Sequence, residues 1–162
     1  MKSRIILAVA ALLAAVAPAA AADGAQTENG LPPVEAWQED PSLRFDAADI
    51  DLADFLWLAR PIVVFADTPA DPRFREQMAL LDARPEELIE RDVVIITDTD
   101  PDARSAVRRQ LRPRGFMMAL LGKDGDVKLR KPFPWDVREL SRSIDKMPLR
   151  QQELRGAALA TE

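Results

Sequence analysis

The 162-residue chain contains no cysteine, no histidine and no tyrosine. Each absence removes a class of chemistry. Without a thiol there is no thiolate nucleophile, so dithiol exchange and thiol-based peroxide reduction are excluded on composition. Without cysteine or histidine the usual ligands of zinc, copper and haem are missing. Serine–histidine and cysteine–histidine catalysis cannot be assembled either. Glycine is scarce, six in the chain, and none builds a phosphate-cradling loop. The stretch "GKDGD" at 122–126 lacks an upstream glycine at the required spacing and the following Ser or Thr. What remains for chemistry is carboxylates, Lys, Arg, Ser and Thr.

What is present begins with a short basic start, Lys2 and Arg4, then an apolar run from Ile5 to Ala17. That run is too short to span a bilayer comfortably. Pro18 and the small residues of "AAAADG" follow, the pattern of a secretory signal peptide over residues 1–22, cleaved after Ala22. An uncleaved membrane anchor is the other reading of the same run. No cysteine is available for lipid attachment at the cleavage site. The expectation is a periplasmic or secreted protein with no stable membrane span after cleavage. Cleavage removes two basic residues and no acidic one, taking the net charge from −5 to −7. A chain of that sign is no general nucleic-acid binder.

Residues 23–41, "DGAQTENGLPPVEAWQEDP", are polar and rich in Gly, Pro and acid, and predict a flexible linker ahead of a domain over 42–155. Trp37 is the one residue there suited to docking on the domain. From 42 to 60 the apolar residues Ile50, Leu52, Phe55, Leu56, Trp57 and Leu58 fit neither helical nor strand period cleanly, and predict a short helix or extended piece packed on a sheet. Ile62–Ala66, "IVVFA", is a β-branched, wholly apolar run suited to a central strand covered on both faces.

Asp71-Pro72 then supplies an N-cap and a proline at the first helical position. Phe74, Met78 and Leu81 follow at helical spacing until Pro85 breaks or restarts the helix. Val93–Thr97 predicts a second buried strand. Asp100-Pro101 repeats the capping signal and predicts a helix to about Leu111. Phe116–Leu121 is a third strand, Asp124-Gly125 a hairpin turn, and Val127–Arg130 the returning strand. Trp135, Leu140, Ile144 and Met147 mark a closing helix, with a tail over 156–162. Two strand–helix–strand passages predict right-handed crossovers between parallel strands, and the hairpin adds an antiparallel edge. The result is an α/β fold with a mixed sheet and helices on both faces.

Acids gather after the strands: Asp67 and Asp71 after the first, Asp98, Asp100 and Asp102 after the second. Parallel neighbours would place all five at the carboxyl end of the sheet, where open α/β sheets take ligands. Two readings stand: helix caps and solvated turns, or a hard-cation or substrate site. "DTDPD" opens like a calcium loop, but its sixth position is Ala103 and its twelfth Arg109. Arg104, Arg108 and Arg112 fall at i, i+4 and i+8. They form a basic face that is either solvated near a helix C-terminus or a docking face for acidic protein or lipid headgroups. Phe116, Met117 and Met118 are either core or the lining of an adaptable groove.

The stretch "RGFMMALLGKDGDV", residues 114–127, resembles the thioredoxin pattern of Arg-Gly, a cis-proline, a strand, Lys-x-Gly and a returning strand. Met117 stands at the cis-proline position, where a trans peptide is expected. "VVFADTPADPRF" resembles the thioredoxin junction that carries Cys-x-x-Cys, here without sulfur. Together "PIVVFADTPADPRFREQMALL", "ERDVVIITD", "LLGKDGDVKLR" and "IDKMPLRQQELR", spanning about 60–155, are similar to a family of small exported bacterial proteins of unknown function. The same domain occurs in animal sushi-repeat-containing matrix proteins.

The resemblance implies a thioredoxin-like three-layer sandwich, and no cofactor, no metal and no established reaction. It points to Asp67, Thr68, Asp71, Phe116 and Met117 as the region where thioredoxins meet substrate backbone. The functional expectation is a non-catalytic exported module, without thiol redox activity, that binds an envelope or extracellular macromolecule, with protein the favoured class of partner. The alternative is a divalent-cation-dependent enzyme or cation-binding protein built on the strand-end aspartates.

Overall fold

The computed structural model describes residues 30–160. The expected signal peptide and the first part of the expected linker lie outside them. Five strands form one sheet: β1 (Arg44–Asp46), β2 (Arg60–Phe65), β3 (Val93–Asp98), β4 (Met117–Leu121) and β5 (Val127–Lys131). Their order across the sheet is β1-β3-β2-β4-β5. β1 and β2 flank β3 in parallel, whereas β4 runs antiparallel to β2 and β5 antiparallel to β4.

The side-chain period of two divides this sheet into two apolar faces. Val63, Phe65, Val94, Ile96, Ala119 and Leu121 point into one buried cluster. There they meet α1 (Pro33–Glu39), a 3-10 turn over Leu52–Phe55, and α4 (Ala106–Leu111). Ile62, Val64, Val93, Met118 and Leu120 point into the other. That face is covered by α2 (Pro72–Asp82), α3 (Pro85–Ile89) and α5 (Val137–Asp145). Helices on both faces of a mixed sheet make the three layers expected from the sequence.

The helix signals act locally as read. The Asp71 carboxylate accepts from Arg73 N at 2.8 Å, with Pro72 opening α2. Pro85 opens α3 after Ala83 and Arg84 interrupt the helix. The hairpin turns at Gly125, whose φ of +80° suits glycine; a Cβ there would lie 2.7 Å from Leu56 Cδ2. α6 (Pro148–Ala160) starts anew at Pro148, so the closing helix is two helices, and residues 156–160 are helical rather than a tail.

Four expectations are corrected. First, the passage from β3 to β4 is not a parallel crossover. The six residues of α4 advance roughly 9 Å along its axis, less than half of the roughly 20 Å that the six residues of β3 cover. The helix does not carry the chain back to the start of the sheet, and β4 begins at the carboxyl end and runs back beside β2. Second, residues 33–39 are not linker. Pro33 opens α1, and Trp37 is buried, edge-on to Phe55 at 6.3 Å. Third, the helix expected from Asp100 to Leu111 is broken. A 3-10 turn over Pro101–Ala103 ends at Arg104, whose φ is +47°, and α4 restarts on the Ser105 cap. Fourth, Leu56, Trp57 and Leu58 do not pack onto the sheet; they are exposed, Trp57 by 65%.

Candidate functional site

The carboxyl ends of β2 and β3 meet at a buried ion pair. Asp98, the last residue of β3, is only 3% exposed. Its Oδ1 accepts from Arg108 Nη2 at 2.7 Å and Nε at 2.9 Å, and its Oδ2 accepts from Ser105 Oγ at 2.7 Å. Ser105 Oγ in turn accepts from Arg108 N at 2.9 Å and so caps α4. Arg108 Nη2 also donates to the Ala66 and Asp98 carbonyls at 2.9 and 3.1 Å. Its guanidinium carbon lies 5.5 Å from the centre of the Phe65 ring. One arginine therefore bonds carbonyls at the ends of two strands, the Asp98 carbonyl also accepting from Ala66 N at 2.9 Å, and the carboxylate of one. Such a fork suits guanidinium rather than ammonium.

In front of this plug runs the junction loop. Asp67, Thr68, Pro69 and Ala70 are exposed. Thr68 Oγ1 accepts from Ala70 N at 3.3 Å, and Asp71 N donates to Thr68 O at 3.1 Å. Asp67 Oδ1 stands 3.9 Å from Arg108 Nη1. Partial burial pushes the Asp71 carboxyl up, but hydrogen bonds from Arg73 and the Arg73 charge outweigh it and hold the group below its ordinary range. Gly115, with φ of +63°, brings the next segment against Asp67: a Cβ there would lie 3.8 Å from Asp67 Oδ2.

Asp67, Thr68 and Asp71 therefore share one exposed loop. Phe116 does not line it openly; it is 2% exposed and its ring is covered by Arg73, whose guanidinium carbon is 5.4 Å away. Met117 is half-buried, packs against the α1/α4 cluster, and has Arg130 Nη1 3.8 Å from its sulfur. No peptide bond among the described residues is cis.

The arginines spaced i, i+4 and i+8 do not form a helix face. Arg104 and Arg112 are exposed residues in left-handed conformation at either end of the Ser105–Leu111 segment, and Arg108 is turned inward. The acids do not converge either. Asp98 is committed to Arg108 and Ser105, Asp71 caps α2, and Asp100 accepts from Asp102 N at 3.0 Å. Among the described residues no three acids are grouped to hold a metal ion. The strand-end arrangement is thus one of caps and an internal salt bridge.

A second charged centre, with no marker in the sequence, closes the amino end. Arg60 opens β2 with 1% of its surface exposed. It donates to Arg91 O and Glu153 Oε1, each at 2.8 Å. Lys123 Nζ bridges Asp92 at 2.8 Å and Glu153 at 3.0 Å. Arg91 pairs with both oxygens of Asp145 at 2.9 Å, an interaction that raises its affinity for the proton. Partial burial pushes the Glu153 carboxyl up, but hydrogen bonds from Arg60 and Lys123 outweigh it and hold the group below its ordinary value.

Solved structures share this architecture. The chain matches thioredoxin peroxidase I of Plasmodium yoelii over 64% of its own length and 80% of that chain, with 15% identity and a TM-score of 0.50. It matches the reduced 2-Cys peroxiredoxin of Plasmodium vivax over 64% and 85%, with 12% identity and a TM-score of 0.53. Desulfothioredoxin from Desulfovibrio vulgaris Hildenborough aligns over 65% and 97%, with 21% identity and a TM-score of 0.47. For the first two, at these identities, the likeness is one of fold, which is thioredoxin-like. Among curated proteins none matches by sequence. A family model matches residues 51–153, from the turn that precedes β2 to the Glu153 that ties α6 to it. The chain belongs to the DUF4174 family, a domain of unknown function.

Proposed function

We propose that the protein is an exported, non-catalytic binding module that recognises another protein of the envelope or extracellular matrix through shape and charge. One observation carries the reading. The strand-to-helix junction that holds sulfur in thioredoxins is kept as a capped turn with no thiol, and the space behind it is filled by Arg108 and Asp98, which are hydrogen-bonded to each other, to Ser105 and to the Ala66 carbonyl. The basic start and apolar run ahead of residue 23 support export to the periplasm or beyond.

The experiment is capture of partners by the purified protein from envelope extract, with and without crosslinking. A reproducible partner, absent from a control with an unrelated thioredoxin-fold protein, is the expected result. No partner above background in either arm overturns the reading. So does genuine catalytic reduction of insulin or hydroperoxide by protein freed of contaminating thiols.

A further inference from the structure

Residues 56–58 present three consecutive large apolar side chains to solvent, Leu56 at 39%, Trp57 at 65% and Leu58 at 40% exposure. Trp57 has a φ of +64°, a conformation that is a true outlier for a bulky residue. It is not a loose loop. Trp57 N donates to Lys123 O at 2.7 Å, and Leu58 N and Ala59 N both donate to Phe55 O at 3.1 and 3.0 Å. The fold thus spends backbone strain to hold a tryptophan out of its core, a pattern found at clamps and binding sites.

Beside this tip lies a cleft of about 280 Å³ between the 51–56 turn and the β4–β5 hairpin. Its apolar wall includes Phe55, Leu56 and Leu121, and its polar wall carries the carboxylates Asp51, Asp124 and Asp126 and no cation. Lys128 pairs with two of them, 2.6 Å from Asp124 and 3.5 Å from Asp126, while Asp51 accepts from the backbone Ala53 N at 2.9 Å. Asp124 is partly buried, which pushes its carboxyl up, but the hydrogen bonds from Lys128 and Asp126 N and the Lys128 charge outweigh this and hold it below its ordinary value.

We propose that this cleft and the Trp57 tip dock an extended protein segment bearing lysine or arginine between apolar residues. This rests on the binding-module reading and names the partner's chemistry. A long basic side chain can lay its methylene stem on Phe55 and Leu56 and bring its cation to the acidic rim. Trp57 offers a face for a second cation or an apolar neighbour. A bare divalent cation is disfavoured because no three acids are grouped to hold one among the described residues. Anionic lipid and a second copy of this acidic chain would both meet the carboxylates with like charge.

The probe is the capped peptide Leu-Arg-Leu-Arg, titrated into the isotopically labelled protein and followed by amide NMR. Its counterpart with Glu in place of Arg serves as control. The expected result is saturable shifts confined to residues 51–58 and 122–126, with affinity reduced about tenfold or more in Trp57→Ser and Asp126→Asn. Both variants are exposed substitutions expected to melt like the parent. Absence of shifts up to about 10 mM peptide overturns the inference. So do equal shifts with the Glu peptide, shifts produced only by lipid vesicles, or shifts that follow protein concentration alone. If a partner captured from envelope extract is held equally by Trp57→Ser, the cleft is not the docking site although the binding-module reading stands. If the parent captures none, that reading itself falls.

Discussion

Each end of the sheet turns an arginine inward, Arg60 fully buried and Arg108 with 12% of its side chain exposed, but the two are partnered differently. At the carboxyl end Arg108 takes its carboxylate, its hydroxyl link and one carbonyl from residues no more than ten positions away, and reaches across to Ala66 for the last. At the amino end Arg60 reaches 31 positions to Arg91 O and 93 to Glu153. The first is a local plug across the carboxyl ends of β2 and β3. The second is a long-range tie that holds the C-terminal helix against the start of the central strand. Beside that tie lie the exposed tip and the acidic cleft. The carboxyl end is filled by a paired arginine behind an exposed loop, and the amino end presents the consecutive apolar residues Leu56, Trp57 and Leu58 to solvent.

The comparison is broken most directly at the plug. Asp98→Ala leaves the largely buried Arg108 charge without its main carboxylate partner and is expected to cost about 3 kcal/mol in urea unfolding. The paired change Asp98→Leu with Arg108→Met removes both charges and should recover most of that loss, since a buried ion pair adds little net stability over apolar packing. If Asp98→Ala is tolerated with less than about 1 kcal/mol, the plug is solvated.

The tie should give a smaller and more local effect. Glu153→Gln removes the anion shared by Arg60 and Lys123 and is expected to cost about 1–2 kcal/mol. Hydrogen exchange then separates the two ends: protection should fall in α6 and stay in α2. Uniform loss of protection would mean that α6 and the sheet open as one unit.

How much of this could be read beforehand depends on where the signal is stored. β2, β3 and β4 are legible because strands buried on both faces need unbroken apolar runs, and Asp71-Pro72 is legible because a cap is a local device. β1 is three residues with a single buried side chain, Phe45, too short to show a period. α1 is hidden in polar composition, its docking carried by Ala36 and Trp37. The break in the 101–111 helix rests on left-handed Arg104, a conformation arginine does not advertise. Arg108 fits a solvated helical face by spacing alone. It turns inward because β3 delivers a carboxylate, an encounter only tertiary structure creates. Trp57 reads as core by hydrophobicity and is exposed because its turn is pinned to Lys123.

Acid sharpens the tie further. The Glu153 carboxyl is held below its ordinary value of 4.5 in the folded protein. Its contribution is therefore complete above that ordinary value and is lost as pH falls through the lower folded one. Exchange in α6 should accelerate relative to the sheet as pH falls below the ordinary glutamate value of 4.5, and Glu153→Gln should abolish that extra acid sensitivity. Equal acid profiles in the two proteins would remove Glu153 as the titrating group. The plug should contribute nothing to this difference, because neither variant touches it.

The smallest stability change is expected at the tip, and its smallness is informative. A core tryptophan such as Trp37 should cost about 3–5 kcal/mol when cut to alanine. Trp57→Gly loses an exposed ring and relieves a left-handed backbone that costs roughly 1–2 kcal/mol in an L-residue. Against that, glycine gives the unfolded chain extra freedom, a penalty of about 0.4–1 kcal/mol. These nearly cancel, so the melting curve should move little in either direction while binding of the Leu-Arg-Leu-Arg peptide weakens. A loss above about 2 kcal/mol would show that the ring shields the Leu56–Leu58 turn as structure. Stability kept and recognition lost together would place Trp57 with surfaces shaped for a partner rather than with the core.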